Sequence, residues 1–164
     1  KKTIPQLRFT LGISTFVPKA HTPFQWHGVR PEAKKRIKLF KKELERNGIS
    51  VRAESFSWSV IQALLSRSDR RLAPVIASVR GSQQSLGSWK SAYKEARENY
   101  QNSEAFASLN LPPPPRWDEI VNDFWQPSSI LPWTHLEGPI KEDLLIKHHL
   151  DAMKFFDEKS PEAK

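Results

Sequence analysis

The sequence predicts an α+β protein in which a small sheet is followed by a mainly helical extension. Apolar and polar residues alternate along residues 7 to 13, which is the pattern of a half-buried β-strand. Apolar stripes at helical spacing begin at residue 31 and recur from residue 56 almost to the end of the chain. A second short alternation at residues 49 to 53 completes the sheet, so we place residues 6 to 16 and 49 to 54 in it.

The first strand leads directly into a segment of unusual composition, STFVPKAHTPFQW, which we call the aromatic loop (residues 14 to 26). Pro18 and Pro23 rule out a continuous helix or strand, yet Phe16 and Phe24 make the segment too apolar for an idle surface loop. Rigid backbone and flat apolar rings suit the covering of a planar ligand or a partner domain. Composition supports equally well the alternative that these rings plug the open end of the sheet.

Residues 31 to 47 (PEAKKRIKLFKKELERN) predict an amphipathic helix, with Pro31 in its first turn and Gly48 at its C-terminal cap. Its apolar stripe is formed by Ala33, Ile37, Phe40 and Leu44. Seven basic side chains cover the rest of the helix, which we interpret as a solvated face, with an RNA-binding surface as the alternative. The strand, loop, helix and second strand together have the length that a parallel crossover requires.

Three more helices are predicted between residues 56 and 100. Ser57, Asp69 and Ser88 are their candidate N-caps, and Pro74 lies near the first turn of the second helix. The predicted buried faces are formed by Trp58, Ile61, Leu64 and Leu65, then by Leu72, Val75, Ile76 and Val79, and finally by Trp89, Ala92, Tyr93, Ala96 and Tyr100.

The C-terminal third begins with a polyproline linker at residues 111 to 116, which contains four consecutive prolines and predicts a stiff spacer. A short helix is predicted at residues 118 to 125 and an apolar turn at residues 130 to 135. The last helix is predicted at residues 140 to 156, with a flexible tail at 157 to 164. One side of that helix carries Leu144, Leu145, His148, Ala152 and Phe155.

Composition excludes several classes of chemistry within these residues. The chain has no cysteine, which removes disulfides, thiolate catalysis and cysteine-ligated zinc or iron–sulfur clusters and fits a reducing compartment. No apolar run approaches the roughly 20 residues that span a bilayer, so we expect no membrane partner. The net charge of +8 permits attraction to RNA, DNA or anionic lipid without requiring it.

No complete catalytic set stands out. The six glycines form no phosphate-cradling motif, and on a helix the adjacent His148 and His149 point about 100° apart, so they cannot both ligate one metal ion. The Asp69-Arg70-Arg71 cluster can grip a phosphate or carboxylate. We favour the structural interpretation, in which Asp69 caps a helix and the arginines reach nearby acids.

Four segments resemble, in order, parts of one group of radical S-adenosylmethionine proteins, uncharacterised Fe-S oxidoreductases that often carry an N-terminal cobalamin-binding domain. ISTFVPKAHTPFQW, residues 13 to 26, resembles the FVPKPHTPFQW stretch that follows the last strand in that group. VIQALLSRSDRRLAPVI, residues 60 to 76, resembles the helix pair LxRGDRRLxxVI. LGSWK, residues 86 to 90, and LPWTHLEGPIKEDLL, residues 131 to 145, resemble the following helix start and the closing LPWDHI segment.

The matches span most of residues 9 to 150, and HTPFQW and DRRL are the most specific of them. The chain departs from the family pattern at Ala20, where proline is usual, at Ser68, where glycine is usual, and at Thr134, where aspartate is usual. Thr134 in particular weakens any role for an acid in that turn.

The resemblance implies that the chain is the C-terminal part of a cytoplasmic radical S-adenosylmethionine enzyme. Residues 1 to 55 would be the last strand, loop, helix and strand of a partial TIM-like barrel, and residues 56 to 156 a helical extension. The 4Fe-4S cluster and S-adenosylmethionine would belong to the whole protein, with cobalamin as a further cofactor, because the CxxxCxxC motif lies far upstream in this family. Alone, the chain would bind no cofactor or metal and would be inactive.

Loops at the carboxyl ends of barrel strands face the active site, so the resemblance places the aromatic loop over S-adenosylmethionine or the substrate. The implied cofactor-facing residues are Phe16, Pro18, Lys19, His21, Thr22, Pro23 and Phe24. The partner would be the upstream barrel of the same polypeptide, with RNA as a second partner that the charge allows.

The alternative from another class is an autonomous basic RNA-binding or adaptor module. A barrel fragment should leave the strand edge at residues 7 to 13 and its apolar face uncovered. An independent module should have both covered.

Overall fold

The structure, a computed structural model, describes residues 7–81, 84–102 and 111–158. Within these ranges the chain is α+β, as predicted, with a small parallel sheet near the start and helices after it. The elements are β1 Thr10–Ile13, α1 Ala33–Arg46, β2 Ser50–Ala53, α2 Phe56–Arg67, α3 Ala73–Val79, α4 Leu86–Glu98, α5 Trp117–Val121 and α6 Glu142–Glu158. Short 3₁₀ turns occur at Arg70–Leu72 and Tyr100–Asn102.

The sheet consists of β1 and β2, which pair in parallel with Thr10 opposite Ser50 and Ile13 opposite Ala53. Helix α1 forms the crossover between them, and the chain leaves it through Gly48 at a φ of 70°. This left-handed residue confirms the predicted C-terminal cap, since glycine adopts that conformation without a Cβ penalty.

This strand–helix–strand unit lies largely outside the core of the described chain. No residue of α1 is buried, and Leu39 and Phe40 are 67% and 59% exposed. Phe9 and Leu11 on the first strand are also exposed. The predicted apolar stripe of α1 is therefore present, but only part of it is covered.

The main hydrophobic core lies among α2, α3, α4 and α5. Its members include eight residues that were predicted to be buried: Ile61, Leu64, Leu72, Val75, Val79, Trp89, Ala92 and Tyr93. The prediction was wrong for Trp58, Leu65 and Ile76, which are about half exposed. In α2 the buried face is centred on Ala63 and Leu64 and continues to Arg67, a position that a search for apolar residues passes over.

A second core cluster joins the aromatic loop to the C-terminal third. Trp26, Leu131, Trp133 and Leu145 form it, with Trp125 packed against them. Among the residues of α6 whose burial the structure describes (142–155), Leu145 and His149, four residues apart, are buried. Met153, four residues further on, is partly buried. The predicted face was therefore one residue off, and His148 is exposed.

Two predicted caps needed correction and one was confirmed. Ser85, and not Ser88, is the N-cap of α4, and Ser88 is the partner that closes its capping box. Helix α2 starts at Phe56, two residues earlier than a Ser57 cap allows, with Ser55 at the N-cap position. Asp69 accepts a hydrogen bond from the backbone N–H of Arg71 at 2.9 Å, as its predicted role requires.

The polyproline segment lies against α4 and the turn after α2. The carbonyl oxygens of Pro112 and Pro113 accept hydrogen bonds from the Arg71 guanidinium at 2.8 and 3.2 Å. Those of the next two prolines accept from Arg97 at 2.9 Å and from the Tyr93 hydroxyl at 2.7 Å. Because these four prolines have no backbone N–H groups, they are held by the hydrogen bonds that their carbonyl oxygens accept.

The limits of the last two helices differ from the prediction. Helix α5 ends at Val121, before the predicted residue 125, and α6 begins at Glu142 and reaches Glu158. The end of the predicted tail, residues 159 to 164, lies outside the described residues. Among the described helices, none combines the length and apolar character needed to cross a bilayer.

Candidate functional site

The aromatic loop is fixed by a hydrogen-bonded turn around His21. The His21 backbone N–H donates to Oε1 of Gln25 at 2.9 Å, and the Thr22 hydroxyl donates to the carbonyl oxygen of Lys19 at 2.7 Å. Oε1 of Gln25 also accepts from the indole N–H of Trp133 at 2.8 Å. His21 has a φ of 55°, a conformation that needs such support in a residue with a Cβ.

The predicted site residues of the aromatic loop lie in different environments. Pro18 is fully buried in the interior of the protein, Lys19 is exposed, and Thr22 and Pro23 are half-buried. His21 lines a cavity of about 550 Å³ beside Trp133 and Gly138.

Phe16 and Phe24 are the two predicted site residues that meet on the other side of the loop. Their ring centroids are 5.8 Å apart in an edge-to-face arrangement. Phe16 is 61% exposed, so one wall of this side is an apolar ring in contact with solvent.

These two rings line a cavity of about 600 Å³ that we call the loop cavity. It opens where the chain leaves β1, because Thr15 follows that strand and belongs to its lining. The start of α1 and the side chain of Met153 in α6 form the opposite side. The lining consists of Thr15, Phe16, Phe24, His27, Gly28, Arg30, Glu32, Ala33, Arg36 and Met153.

The charged groups of the loop cavity leave it net positive. Arg30 pairs with Glu32 at 3.5 Å from Nε to Oε2, with both side chains exposed. A hydrogen bond from its own backbone N–H and the attraction of Arg30 lower the pKa of Glu32, so this carboxylate is ionised at neutral pH. Arg36 has no ion pair in the described part of the chain and adds a second cation.

Behind the loop cavity lies a cluster of histidine and phenylalanine rings. The rings of His27 and His149 have centroids 5.0 Å apart, and both contact Phe24 and Phe124. In the described residues, Nε2 of His27 and Nδ1 of His149 are buried without a hydrogen-bond partner. Burial lowers the pKa of both histidines, and His149 and two arginines lower that of His27 further.

This cluster presents neutral imidazoles at physiological pH. It therefore offers polarisable ring surface. Within the described ranges, no group of three or more His, Asp or Glu side chains is arranged to hold a metal ion. Neither His27 nor His149 was among the predicted site residues. The four-residue spacing of Leu145, His149 and Met153 is the sequence signal that could have identified His149 as a buried residue of α6.

The far end of the aromatic loop is anchored by Arg67, which sequence reasoning also missed. This side chain is 1% exposed, and its guanidinium lies over the Trp125 ring at 3.9 Å. It donates to the carbonyl oxygens of Trp26, Ile120 and Asp123. One cation thus joins α2 to the end of the loop and to the end of α5.

The predicted structural role is confirmed for Asp69 and Arg71, whereas Arg70 is exposed and forms no ion pair among the described residues. The Arg71 guanidinium donates to both carboxylate oxygens of Asp69 at 2.7 to 3.0 Å. These hydrogen bonds outweigh burial, so the pKa of Asp69 is lowered, and that of Arg71 is raised by the same pair. Arg71 also holds the polyproline segment, and the ion pair therefore fixes one turn against a distant part of the chain.

Comparison with known proteins shows a distant similarity to a much longer protein. No protein-family model matches the chain, and no solved structure matches it. The uncharacterized protein MJ0966 of Methanocaldococcus jannaschii is 32% identical over 74 residues, which are 44% of this chain and 17% of that protein. The chain is thus similar, over less than half its length, to a short part of a much longer protein.

Proposed function

We propose that this chain is the C-terminal part of a radical S-adenosylmethionine enzyme and that it covers the active site without being catalytic alone. The uncovered strand–helix–strand unit is the observation that carries the proposal. Parallel sheets are normally covered on both faces, yet Phe9, just before β1, and Leu11 within it are exposed. Leu39 and Phe40 of the crossover helix α1 are exposed as well. A unit of this kind requires neighbouring strands and helices.

The missing neighbours would be the preceding strands and helices of a partial TIM-like barrel. Both outer edges of the two-stranded sheet are free in the described residues, since the strand order is β1–β2. The similarity to a short part of a much longer protein is compatible with such a context. Free edges and uncovered faces are features that further parallel strands remove.

In that context the loop cavity would lie at the active-site face, because it opens where the chain leaves β1. The chemical groups that line it suit S-adenosylmethionine. Phe16 and Phe24 offer ring surface on which the adenine base can stack, and Arg30 offers a partner for the carboxylate. Bound S-adenosylmethionine would supply a radical after reductive cleavage. The chain's own rings would exclude water from that space.

The chain's residues do not fit the 4Fe-4S cluster. No cysteine is present in the sequence, and thiolates are the ligands such clusters require. The cluster would therefore be held by the upstream barrel, and no step of the chemistry can be assigned to residues of this chain through it.

The test uses the polypeptide encoded together with the region upstream of Lys1. We expect that region to contain a CxxxCxxC motif and the anaerobically purified protein to contain iron and sulfide. After reduction it should form 5′-deoxyadenosine from S-adenosylmethionine. Absence of the motif, or of deoxyadenosine with a fully loaded cluster, would contradict the proposal.

A matched pair of variants tests the role of the loop cavity in the same enzyme. Phe16→Ser should lower the rate of deoxyadenosine formation while leaving iron content unchanged, because it removes the exposed ring wall. Leu150→Ser, at an exposed position of α6 that is not among the cavity lining residues, should leave both unchanged. Equal rates in the two variants would remove the loop cavity from the active site.

The basic surface of α1 favours a second candidate, an RNA-binding or adaptor module. Lys34, Lys35, Lys38 and Lys42 are exposed, and cationic surfaces of this kind bind phosphates in a salt-dependent way. Salt-dependent RNA binding that is lost when these four lysines are replaced by glutamine would favour this candidate. The same four substitutions should leave deoxyadenosine formation unchanged if the enzyme proposal holds.

A further inference from the structure

A third cavity lies beside Trp125, and none of its lining residues belongs to the loop cavity. It has a volume of about 430 Å³ and lies between the turn after α2, the polyproline segment and the loop before Trp133. We call it the arginine cavity. Its lining consists of Arg67, Ser68, Asp69, Arg71, Leu72, Tyr93, Pro114, Pro115, Ile120, Trp125, Ser129, Ile130, Leu131 and Pro132.

The charge balance of the arginine cavity is positive because one of its two cations lacks a counter-ion. Arg71 is neutralised by Asp69 at 2.7 Å. The nitrogens of Arg67 donate only to backbone carbonyl oxygens, and it forms no ion pair among the described residues. A buried charge without an opposite charge is costly.

Burial also changes the electrostatics of Arg67. Burial lowers the pKa of Arg67 to about 10, and the more distant carboxylate of Asp123 offsets only part of that effect. The protein therefore stabilises the positive charge of this guanidinium less well than water would. An anion bound in the adjacent cavity would correct this deficit.

Two polar atoms at this end of the cavity also lack partners. Nε of Arg67 and Oγ of Ser68 are buried without a hydrogen-bond partner in the described part of the chain. Both are donors on consecutive residues, and both residues line the cavity. Buried donors are normally satisfied by protein, water or ligand, and a carboxylate accepts two of them.

The rest of the lining is mostly apolar, and its mouth is exposed. Leu72, Ile120, Trp125 and Leu131 contribute apolar or aromatic surface. Ile130, at the rim, is 92% exposed. Cavities with apolar walls and a few polar groups are typical of small-molecule sites.

Among the described residues, a buried cation without a counter-ion, two donors without partners and apolar walls thus meet in one cavity. We propose that the arginine cavity binds a small organic carboxylate. Its anionic group would lie beside Arg67 and Ser68, and its apolar body would lie along Trp125 and Leu131. The side chain of Ile130 would cover the bound molecule. This site is independent of the proposed enzyme, since none of its lining residues belongs to the loop cavity.

The experiment titrates the full-length protein with phenylacetate, with the neutral 2-phenylethanol as its isosteric comparator and inorganic phosphate as a purely anionic one. Binding is followed by isothermal titration calorimetry and by ligand-observed nuclear magnetic resonance. We expect saturable binding of phenylacetate at least about tenfold tighter than that of either comparator, the ratio that a charge-assisted contact gives. Equal affinity for the acid and the alcohol would overturn the proposal.

Two matched tryptophan substitutions locate the site. Ser129 is exposed and lines the cavity, whereas its neighbour Ser128 is exposed and does not. Ser129→Trp should weaken phenylacetate binding about tenfold or more by filling the cavity, and Ser128→Trp should change it less than about twofold. Unchanged binding in Ser129→Trp would place the ligand elsewhere and overturn the assignment.

A third variant removes the hydroxyl donor of Ser68 and leaves the other lining side chains of the cavity in place. Ser68→Ala should weaken phenylacetate binding about tenfold or more, as loss of one hydrogen bond to a charged group predicts. Binding of 2-phenylethanol should stay unchanged in this variant. An equal effect on acid and alcohol would contradict the placement of the carboxylate.

Discussion

Arg67 joins helix α2 to the end of the aromatic loop and to the end of α5. Its guanidinium binds three backbone carbonyl oxygens from two other parts of the chain. We expect Arg67→Met to lower the free energy of unfolding by about 2–4 kcal/mol, because the carbonyl groups of Ile120 and Asp123 lose this donor, while removal of the buried charge offsets part of the loss. The matched control is Arg70→Met at an exposed position, which should change it by less than about 0.5 kcal/mol. Urea unfolding measures both, and equal effects would contradict this role.

The buried histidines predict a loss of stability on acidification. The folded-state pKa values of His27 and His149 are lowered, chiefly by burial. The unfolded chain therefore takes up protons first as the pH falls below about 6.5, and the folded state loses stability from there down to the folded-state pKa values. Arg30 and Arg67 strengthen the effect at His27.

The variant that checks this pH dependence is His149→Phe, which keeps an aromatic ring among Phe24, Trp26 and Phe124. Its melting temperature should fall less between pH 7 and pH 5 than that of the unsubstituted protein. His148→Phe, at the exposed neighbouring position, should keep the original pH profile. A steeper profile for His149→Phe would reverse the sign of the argument.

These residues also mark where sequence reasoning succeeded and where it stopped. The cap role of Asp69 could be predicted because a short acidic side chain before a helical turn acts locally. The roles of Arg67 and His149 could not, since both depend on partners more than 20 residues away. Apolar periodicity counts neither residue, although each occupies a core position of its helix.

At the scale of elements, the close approach between the end of the aromatic loop and α5 depends on Gly28. The Val29 N–H donates to the carbonyl oxygen of Val121 at 2.8 Å, and the Asn122 amide donates back to Val29 at 2.8 Å. A Cβ on Gly28 would clash with the backbone of Asn122, whereas one on Gly12 would meet open space.

Gly28→Ala should therefore destabilise the protein by about 1–3 kcal/mol, as overpacking against a fixed backbone does. Gly12→Ala should change stability by less than about 1 kcal/mol, since it has room in the strand. Thermal unfolding of the two variants provides the measurement. Equal melting temperatures would show that α5 yields to the added methyl group.

Elements with a repeated pattern were predicted well and those without one were not. The parallel crossover of β1, α1 and β2 follows from alternation and from the length between its strands. The aromatic loop has no period, so the sequence could not say that Phe16 and Phe24 face one cavity while His21 faces another. The polyproline segment was predicted as a spacer, but its carbonyl groups act as acceptors for α4 and the Asp69 turn.

At the scale of the whole molecule, the described chain combines a well-packed helical half with an exposed strand–helix–strand half. The helical half has continuous core clusters. The other half presents apolar side chains of both β1 and α1 to solvent. Contiguous exposed apolar surface of this kind marks an interface. The sequence could anticipate that difference only through the resemblance, since the stripe on α1 is as apolar as a buried one.

This asymmetry predicts that residues 1 to 164, produced alone, self-associate through α1. Leu39→Lys with Phe40→Lys should shift the protein to a monomer in analytical ultracentrifugation, because the charges prevent apolar contact between copies. Stability should change by less than about 1 kcal/mol, since both side chains are largely exposed already. The control pair Leu144→Lys with Leu150→Lys, exposed on α6, should leave association unchanged. A protein that is monomeric at every concentration would instead favour the autonomous module, because an unfinished barrel unit has no other way to cover this surface.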